Sequence, residues 1–395
     1  MKKTIKELDI YISDGNYSSK YPRSEEFVEE GIPFIRGNNM VDGDITDDEM
    51  YYITPEKHSL LLKGHVKAGD VLITTRGNIG QVAIVPDRHE DSNINAQIVL
   101  LRTNQETLYN RYLLWALQSH GANEQYLALQ TGTALKQLPV GKLEKLFIEV
   151  TDINKQHEIA DILDKTYEVV KLRRKELQLL DDLTKARFVE MFGDIKNNTY
   201  GWKKYSLEQL TIKITDGEHG TVPRVNEGEG YLYFMARNIT KEGLIDLSET
   251  SYVPVDVHQK IYKRCNPEAG DILLVCVGAT VGKSALVTEK MGEFSMARSV
   301  ALIKPDKEKI NSLFLLNLLR SDAIQNNISN CVHAAAQAGL YTNMIKNLDA
   351  FVPPIELQNQ FADFVKQVDK LKLQVQKSLD ETQILFDSLM QQYFG

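Results

Sequence analysis

The sequence has few cysteines and no long apolar run, and each absence excludes a class of protein. Three cysteines, Cys265, Cys276 and Cys331, occur in 395 residues, without the paired spacing of a zinc site or a disulfide framework. They are expected to be small buried residues in a reducing compartment. Apolar runs such as 272–277 fall far short of the roughly 20 residues that span a bilayer. The first residues, MKKTIKELDIY, lack the apolar segment of a secretion signal, so we expect a cytoplasmic protein.

The sequence also lacks an excess of positive charge. Its formal net charge is −8, which argues against strong non-specific binding of nucleic acid. Residues 1–150 hold 16 basic and 21 acidic side chains, and residues 197–352 hold 17 of each. Any DNA-binding face must therefore be local, with acidic residues turned away from it.

What the sequence does contain is an internal duplication. Residues 1–193 and 203–395 align at an offset close to 202, and matching segments occur in the same order in both copies. The matches are SDG at 13–15 with TDG at 215–217, AGDVL at 68–72 with AGDIL at 269–273, GNIGQVAIV from Gly77 with GATVGKSALV from Gly278, YLLWALQS at 112–119 with FLLNLLRS at 314–321, and the FG pairs at 192–193 and 394–395.

Each copy has two unlike parts, which predicts an α+β protein built as a pseudo-two-fold duplication. The first part is rich in turn formers and β-branched segments, as expected of a mixed domain of strands and short helices. The second part has no Gly or Pro over 155–192 or 357–393, and its apolar residues recur at helical spacing. We therefore predict mixed domains at 1–152 and 196–354, and long helices at 153–195 and 355–395.

The two long helices are predicted to pair with each other as an antiparallel coiled coil. Polar Thr166, Arg173 and Thr184 of the first helix correspond to apolar Val368, Val375 and Phe386 of the second. The alternative is that each helix packs only on its own domain. At about 1.5 Å per residue such a helix spans on the order of 50 Å, more than one turn of B-DNA, about 34 Å.

Motifs for catalysis are absent or misleading. GATVGKS, which begins at Gly278, has three residues between its glycines where a phosphate-binding loop has four, and a strand is expected after it. The first copy has GNIGQV there, without the lysine. There is no NPPY-like loop for adenine methylation, no HExxH, and no nucleophile with a base. The sequence predicts no catalytic residue and no metal site.

Polar residues suited to DNA contact occur at equivalent places in the two copies. Arg, Asn and Gln can form paired hydrogen bonds with base edges, and glycine loops let a backbone approach a phosphate. For any single residue, an ordinary solvated loop is the alternative. The DNA-binding candidates are Arg36, Asn38, Asn39, Arg76, Asn78, Thr133 and Lys136 in the first copy, and Arg237, Asn238, Lys283, His333, Gln337 and Tyr341 in the second.

Taken together, these segments resemble the specificity (S) subunits of type I restriction–modification systems, over essentially the whole chain. The resemblance rests on the [ST]DG segments, the AGD strands with their glycine loops, FVPPIELQNQFAD before the second helix, and FGD at 192–194. The first copy departs from the pattern, with IEVTDINKQHEIAD where a proline-rich segment is usual. This difference affects a linker.

The resemblance implies two target-recognition domains, each reading one half of a bipartite DNA sequence, and helices that set the gap and bind two methyltransferase (M) subunits. S-adenosylmethionine, ATP and Mg²⁺ would bind partner M and restriction (R) subunits, and this chain would bind no cofactor. Three alternatives stay open. They are the specificity subunit of a system with fused restriction and modification, a coiled-coil scaffold that does not read DNA, and an NTPase dependent on Lys283.

Overall fold

A computed structural model describes residues 1–15, 19–132, 135–334 and 339–395. The chain divides into two compact units, Met1–Arg174 with Gln376–Gly395, and Lys175–Val375. Each unit therefore contains one mixed domain, the part of a long helix that adjoins it in sequence, and a part of the other long helix. None of the helices in the described ranges combines the length and apolar character that crossing a bilayer requires.

Among its described residues the first unit contains eleven named strands, four short helices, the first part of one long helix and the last part of the other. Those up to the first long helix are β1 (Lys2–Thr4), β2 (Ile10–Asp14), β3 (Ile32–Ile35), β4 (Met40–Val41), β5 (Asp44–Ile45), β6 (Tyr51–Ile53), α1 (Pro55–Leu60), β7 (Val71–Thr74), β8 (Val82–Ile84), β9 (Asn93–Ile94), β10 (Ile98–Thr103), α2 (Asn110–Gln118), α3 (His120–Leu129), α4 (Val140–Leu143), β11 (Phe147–Glu149) and α5 (Ile153–Phe192).

The second unit repeats most of this order. Its elements are β12 (Lys203–Ser206), α6 (Leu207–Leu210), β13 (Thr211–Asp216), β14 (Tyr231–Phe234), β15 (Tyr252–Val253), α7 (Val255–Cys265), β16 (Ile272–Val275), β17 (Ser284–Leu286), β18 (Phe294–Met296), β19 (Val300–Pro305), α8 (Ser312–Arg320), α9 (Asp322–Ala334), α10 (Thr342–Lys346), β20 (Asp349–Val352) and α11 (Ile355–Phe394).

The sheets confirm the duplication. The first domain has an antiparallel four-stranded sheet in the order β2-β10-β7-β8, and the second has β13-β19-β16-β17. A three-stranded sheet, β6-β3-β9 or β15-β14-β18, accompanies each, and its central strand has one parallel and one antiparallel neighbour. Short pairs, β1 with β11 and β12 with β20, join the start of each domain to the segment before its long helix.

The SDG and TDG segments have a packing role. They end β2 and β13, where the chain passes against another backbone. A Cβ on Gly15 would lie 2.2 Å from the Asn95 carbonyl oxygen, and one on Gly217 would lie 2.2 Å from that of Met296. Since no side chain tolerates such an approach, only glycine fits either position.

The aspartates of the AGD segments are buried and paired. The Asp70 side chain accepts from the Lys67 backbone N–H at 2.8 Å and receives two hydrogen bonds from Arg102 on β10, both 2.7 Å. Asp271 accepts from the Glu268 N–H at 2.8 Å and pairs with Lys304 on β19 at 2.7 Å. The aspartate therefore closes the turn before the central strand and ties it to the neighbouring strand in both copies.

The predicted antiparallel helix pairing is present within each unit. In the first unit Tyr167 lies 5.2 Å from Phe386, between ring centroids, and Arg174 donates to Gln383 at 3.1 Å. In the second unit Asp181 pairs with Lys372 at 2.5 Å, and Phe188 lies 5.4 Å from Phe361. In both units the residue number rises along α5 as it falls along α11, which defines an antiparallel pair.

Each helix pair also joins the core of its domain. In the first unit Trp115 of α2 packs edge-on against Phe386, with ring centroids 5.4 Å apart. In the second unit Phe314 of α8 stacks on Phe188 at 5.6 Å. Full burial of such a side chain stabilises the fold by roughly 1.5–3 kcal/mol, so each helix end is held to a domain by aromatic contacts.

Candidate nucleic-acid interface

Three loops converge at one edge of the first domain, and we call this surface the loop edge. It consists of residues 36–39, 75–81 and 130–138, of which 133–134 lie outside the described residues. The Leu138 N–H donates to the Thr75 carbonyl at 2.8 Å, and a Cβ on Gly37 would lie 3.3 Å from the Thr74 methyl carbon. Most of the first-copy candidates therefore lie on adjoining loops.

The second domain forms an equivalent loop edge from residues 235–238, 276–283 and 333–341, of which 335–338 lie outside the described residues. Ser299 joins two of these loops. Its hydroxyl accepts from the Ala236 N–H at 3.2 Å, and its carbonyl accepts from the Cys276 N–H at 2.8 Å. The Leu340 N–H donates to the Cys276 carbonyl at 2.8 Å, as Leu138 does to Thr75. The convergence is thus a property of the duplicated fold.

Asn39 and Asn238 support their loops from within. Asn39 is 0% exposed; its side-chain oxygen accepts from the Arg36 N–H, and its amide group donates to the Asp48 carbonyl at 2.9 Å. Asn238 is 1% exposed and makes the same bonds, with the Met235 N–H and with the Asp246 and Glu249 carbonyls. Because both side chains are buried and bonded, neither can reach a base edge here, which corrects the expectation for these two residues.

Asn38 and Arg237 occupy equivalent exposed positions one residue earlier. Each lies in a short 3₁₀ turn, Gly37–Asn39 or Ala236–Asn238, that follows the central strand of the three-stranded sheet. The Arg237 guanidinium donates to the Ser251 hydroxyl at 3.0 Å. The supporting asparagine is therefore the same in both domains, while the exposed side chain beside it differs.

Arg36 is half-buried and already engaged. Its guanidinium carbon lies 3.5 Å from the ring centroid of Tyr51, and a terminal nitrogen donates to the Glu49 carbonyl at 2.5 Å. Its Nε atom is buried without a hydrogen-bond partner. Met235 takes its place in the second domain. Tyr51, which is 42% exposed, was not among the residues predicted from the sequence. The available signal was the β-strand character of Tyr51–Ile53, in which side chains alternate between the two faces of the sheet.

The glycine loop and the third loop carry the remaining first-copy candidates. Arg76, Asn78 and Lys136 are exposed, and Arg76 forms a β-bridge with Gln137. Lys136 and Gly77 line a cleft of about 270 Å³ beside Tyr126. The glycine loop, with Arg76 and Asn78, and the third loop, with Lys136, therefore lie side by side. Thr133 lies outside the described residues.

The remaining second-copy candidates differ in exposure. His333 and Tyr341 are exposed, the latter 47%, and Lys283 is half-buried. Gln337 lies outside the described residues. After Lys283 the chain continues as β17 and pairs with β16. The expected strand is therefore present, and the helix that a phosphate-binding loop requires is not found at this place.

Charge is only partly separated in the first domain. Asp44 and Asp47, whose side chains are about 60% exposed, follow the first loop and lie 3.6 and 3.7 Å from Arg88. Asp48 is tied to Asn39 through its carbonyl oxygen. Acidic residues therefore lie close to this loop edge. The sequence had led us to expect acidic residues on other faces of the domain, and these residues do not meet that expectation.

A model of the family described as Type I restriction modification DNA specificity domain matches residues 9–181 and again 201–382. The chain belongs to this family. The two matches correspond to the two copies of the duplication, so the chain is a two-copy type I DNA specificity protein, as the motifs indicated.

Proteins similar in sequence to this chain are named as specificity subunits, which agrees with this assignment. The type I restriction enzyme MjaVIII specificity subunit of Methanocaldococcus jannaschii is 21% identical over 386 residues, covering 91% of this chain and 81% of the relative. A second M. jannaschii protein, which carries the name of a MjaX specificity subunit, is 24% identical over 86% of this chain and 81% of its own. The EcoBI specificity subunit of Escherichia coli is 30% identical over 195 residues, 48% of this chain and 37% of the relative.

Solved structures share the fold. The S subunit of a type I restriction–modification system from M. genitalium superimposes with a TM-score of 0.64 at 17% identity, covering 100% of this chain and 96% of that one. A structure concerned with complex assembly and conformational transition of the type I R-M system gives a TM-score of 0.54 at 16% identity, covering 100% and 97%.

Proposed function

We propose that this chain is the subunit that gives a type I restriction–modification complex its DNA sequence specificity. Each loop edge would read one half of a bipartite double-stranded target. The observation that carries this proposal is the pair of equivalent loop edges, built on the same buried asparagines but presenting different side chains. Asn38 stands where the second domain has Arg237. An amide and a guanidinium prefer different bases, which suits two unlike half-sites.

The long helices would bind the partner subunits. In the first unit they expose apolar Val169, Leu172, Ile384 and Leu385, and in the second unit Leu179, Leu183, Val189, Leu371 and Leu373. Exposed apolar side chains of this kind support docking of two M subunits along the helices. The M subunits would supply S-adenosylmethionine and adenine methylation. R subunits would supply ATP-driven translocation and Mg²⁺-dependent cleavage, in the cytoplasm where the host DNA lies.

The test is adenine methylation by the complex of this chain with its M partner, mapped by single-molecule sequencing. Arg237→Ala should weaken or relax recognition at one half-site, and Asn38→Ala should do so at the other. A lost base contact costs about 1–3 kcal/mol, or roughly 5- to 150-fold in discrimination. Lys203→Ala, an exposed lysine of β12 outside the three loops, is the control and should leave the motif unchanged.

Two outcomes would count against the proposal. Unchanged methylation in both loop variants would refute the placement of the reading surface. A complex that assembles with its partners but shows no salt-dependent DNA binding would favour the coiled-coil scaffold instead.

A further inference from the structure

His58, His65 and Asp91 lie together in the first domain, and none of them belongs to the loop edge. His58 belongs to α1, His65 follows that helix, and Asp91 precedes β9. His58 Nε2 lies 3.3 Å from one carboxylate oxygen of Asp91, and His65 Nδ1 lies 3.7 Å from the other. One ligand atom from each residue lies within 4.8 Å of the others. The three side chains therefore face a common point.

The remaining ring nitrogens have partners that determine where the protons are. His58 Nδ1 lies 2.5 Å from Asn93 Oδ1, and His65 Nε2 lies 2.5 Å from the Leu61 carbonyl oxygen. The amide nitrogen of Asn93 donates to the Gly64 carbonyl, which orients its oxygen toward His58. Since a carbonyl oxygen only accepts, the neutral imidazoles carry their protons on these nitrogens. The lone pairs of His58 Nε2 and His65 Nδ1 then point at the carboxylate.

Two lone pairs and a carboxylate facing one another repel unless a proton or a metal ion lies between them. We propose that His58, His65 and Asp91 bind a divalent transition-metal ion, with Zn²⁺ the best match to two imidazoles and a carboxylate. Bonds of about 2.0–2.1 Å in a tetrahedron place ligand atoms roughly 3.3–3.4 Å apart. The distances of 3.3 and 3.7 Å run to different oxygens of Asp91, and the three ligand atoms lie within 4.8 Å of one another, so the exposed Asp91 carboxylate must turn toward the ion to reach that spacing. Asn93 and Leu61 hold the rings as outer partners of metal-binding histidines do.

The site is accessible and its fourth position can hold water. The Asp91 side chain is 71% exposed and that of His65 is 34% exposed. Both line a cleft of about 450 Å³ that gives a metal ion access. Three cations line this cleft. Lys63 and Arg102 are paired with Asp14 and Asp70, and Lys67 shares the cleft with the carboxylates of Glu90 and Asp91.

The second domain offers an internal comparison. His258 matches His58, and its Nε2 lies 3.5 Å from Glu293, the counterpart of Asp91. The position of His65 is taken by Asn266, whose amide donates to Glu268 at 2.7 Å. Tyr231 stacks on the His258 ring at 3.6 Å. With one imidazole in place of two, this arrangement lacks the ligand set, so the site belongs to the first domain.

The test uses the full-length, untagged chain and Zn²⁺ alone, titrated against a fluorescent chelator. Wild type should bind one zinc per chain, and zinc should raise its melting temperature through linkage. His65→Asn, which copies Asn266, should weaken binding at least ~10-fold and abolish that rise. His120→Asn is the control, since His120 is 78% exposed and pairs with Glu124 within α3.

Two results would overturn the site. One is a wild-type chain that binds no zinc and shows no zinc-dependent melting shift, in which case a proton alone bridges the three side chains. The other is zinc binding that is unchanged in His65→Asn while circular dichroism shows that the variant is folded. Neither result bears on DNA reading, so the site stands or falls separately from the proposed function.

Discussion

The two domains differ least where side chains bond to their own backbone and most where they face solvent. Asn39 and Asn238 are both buried and make the same bonds to the loop that follows. Asp70 and Asp271 both close the turn before a central strand. Beside these matched residues, exposed Asn38 stands opposite exposed Arg237. The comparison separates buried residues that build the loop edge from exposed residues that differ between the two copies.

The same comparison applies to partly buried positions. Arg36 lies flat against Tyr51, whereas its counterpart Met235 carries no charge. His58 faces a second histidine, whereas His258 is stacked under a tyrosine. The two domains therefore share a backbone fold but place different side chains at equivalent positions. Substituting both members of a matched pair shows what each side chain adds to the stability or function of its own domain.

The largest expected effect comes from removing an aromatic anchor of one unit. Phe386→Ala should destabilise the first unit by about 3 kcal/mol, because a buried phenylalanine leaves a cavity against Trp115 and Tyr167. Hydrogen exchange should rise in α2 and in 376–395 and stay unchanged in 175–375.

Leu385→Ala is the matched control for this change. Leu385 is 53% exposed, so its loss should change stability by less than about 0.5 kcal/mol. An equal loss of protection in both units, or a loss under about 1 kcal/mol for Phe386→Ala, would contradict the anchoring role.

An intermediate effect should distinguish the two AGD aspartates. Asp70→Asn leaves Arg102 without its buried partner and should cost about 2 kcal/mol, below the 3–5 kcal/mol of a fully buried pair because Arg102 is 30% exposed. Asp271→Asn should cost less, since Lys304 also pairs with Glu268 at 3.2 Å. Burial moreover raises the pKa of Asp271, so the substitution relieves a desolvation penalty.

The measurement is urea unfolding of the two variants, monitored by hydrogen exchange in β7 and in β16. It tests whether Asp70→Asn loses more stability than Asp271→Asn. Equal losses, or a larger loss for Asp271→Asn, would contradict the idea that Glu268 compensates for the loss of the Asp271 carboxylate.

The smallest expected effect is the pH dependence that His258 contributes in the second domain. Burial lowers the pKa of His258, although Glu293 opposes the shift. The unfolded state therefore takes up a proton at a higher pH than the folded state does, so stability falls as pH drops below about 6.5. The effect is the smallest of the three because the attraction of Glu293 offsets part of the effect of burial.

His258→Gln should flatten this part of the curve of melting temperature against pH. His120→Gln, at an exposed position of the first domain, should leave the curve as it is in wild type. A stability that is the same at pH 7 and pH 5.5 in the wild-type second unit would contradict the assignment.

Much of the fold was predictable because it rests on local pattern and repetition. Helical spacing without glycine or proline predicted both long helices, and the structure has them at Ile153–Phe192 and Ile355–Phe394. The ordered matches predicted two equivalent domains, which the identical strand orders confirm. The candidate site was predictable only at the level of loops. Asn39 and Asn38 are adjacent and of one residue type, yet one is buried and bonded and the other is exposed.

The sequence by itself determined the duplication, the two mixed domains, the long helices and the family. These follow from period, spacing and residue type along the chain. Only the tertiary structure decided which loop residues face solvent, why the AGD aspartates are needed, and that His58, His65 and Asp91 meet. Those facts depend on the packing of segments that are far apart in the sequence, such as Thr75 and Leu138. Neighbours from distant segments decide which side chains are buried and where a lone pair points, and no local pattern contains that information.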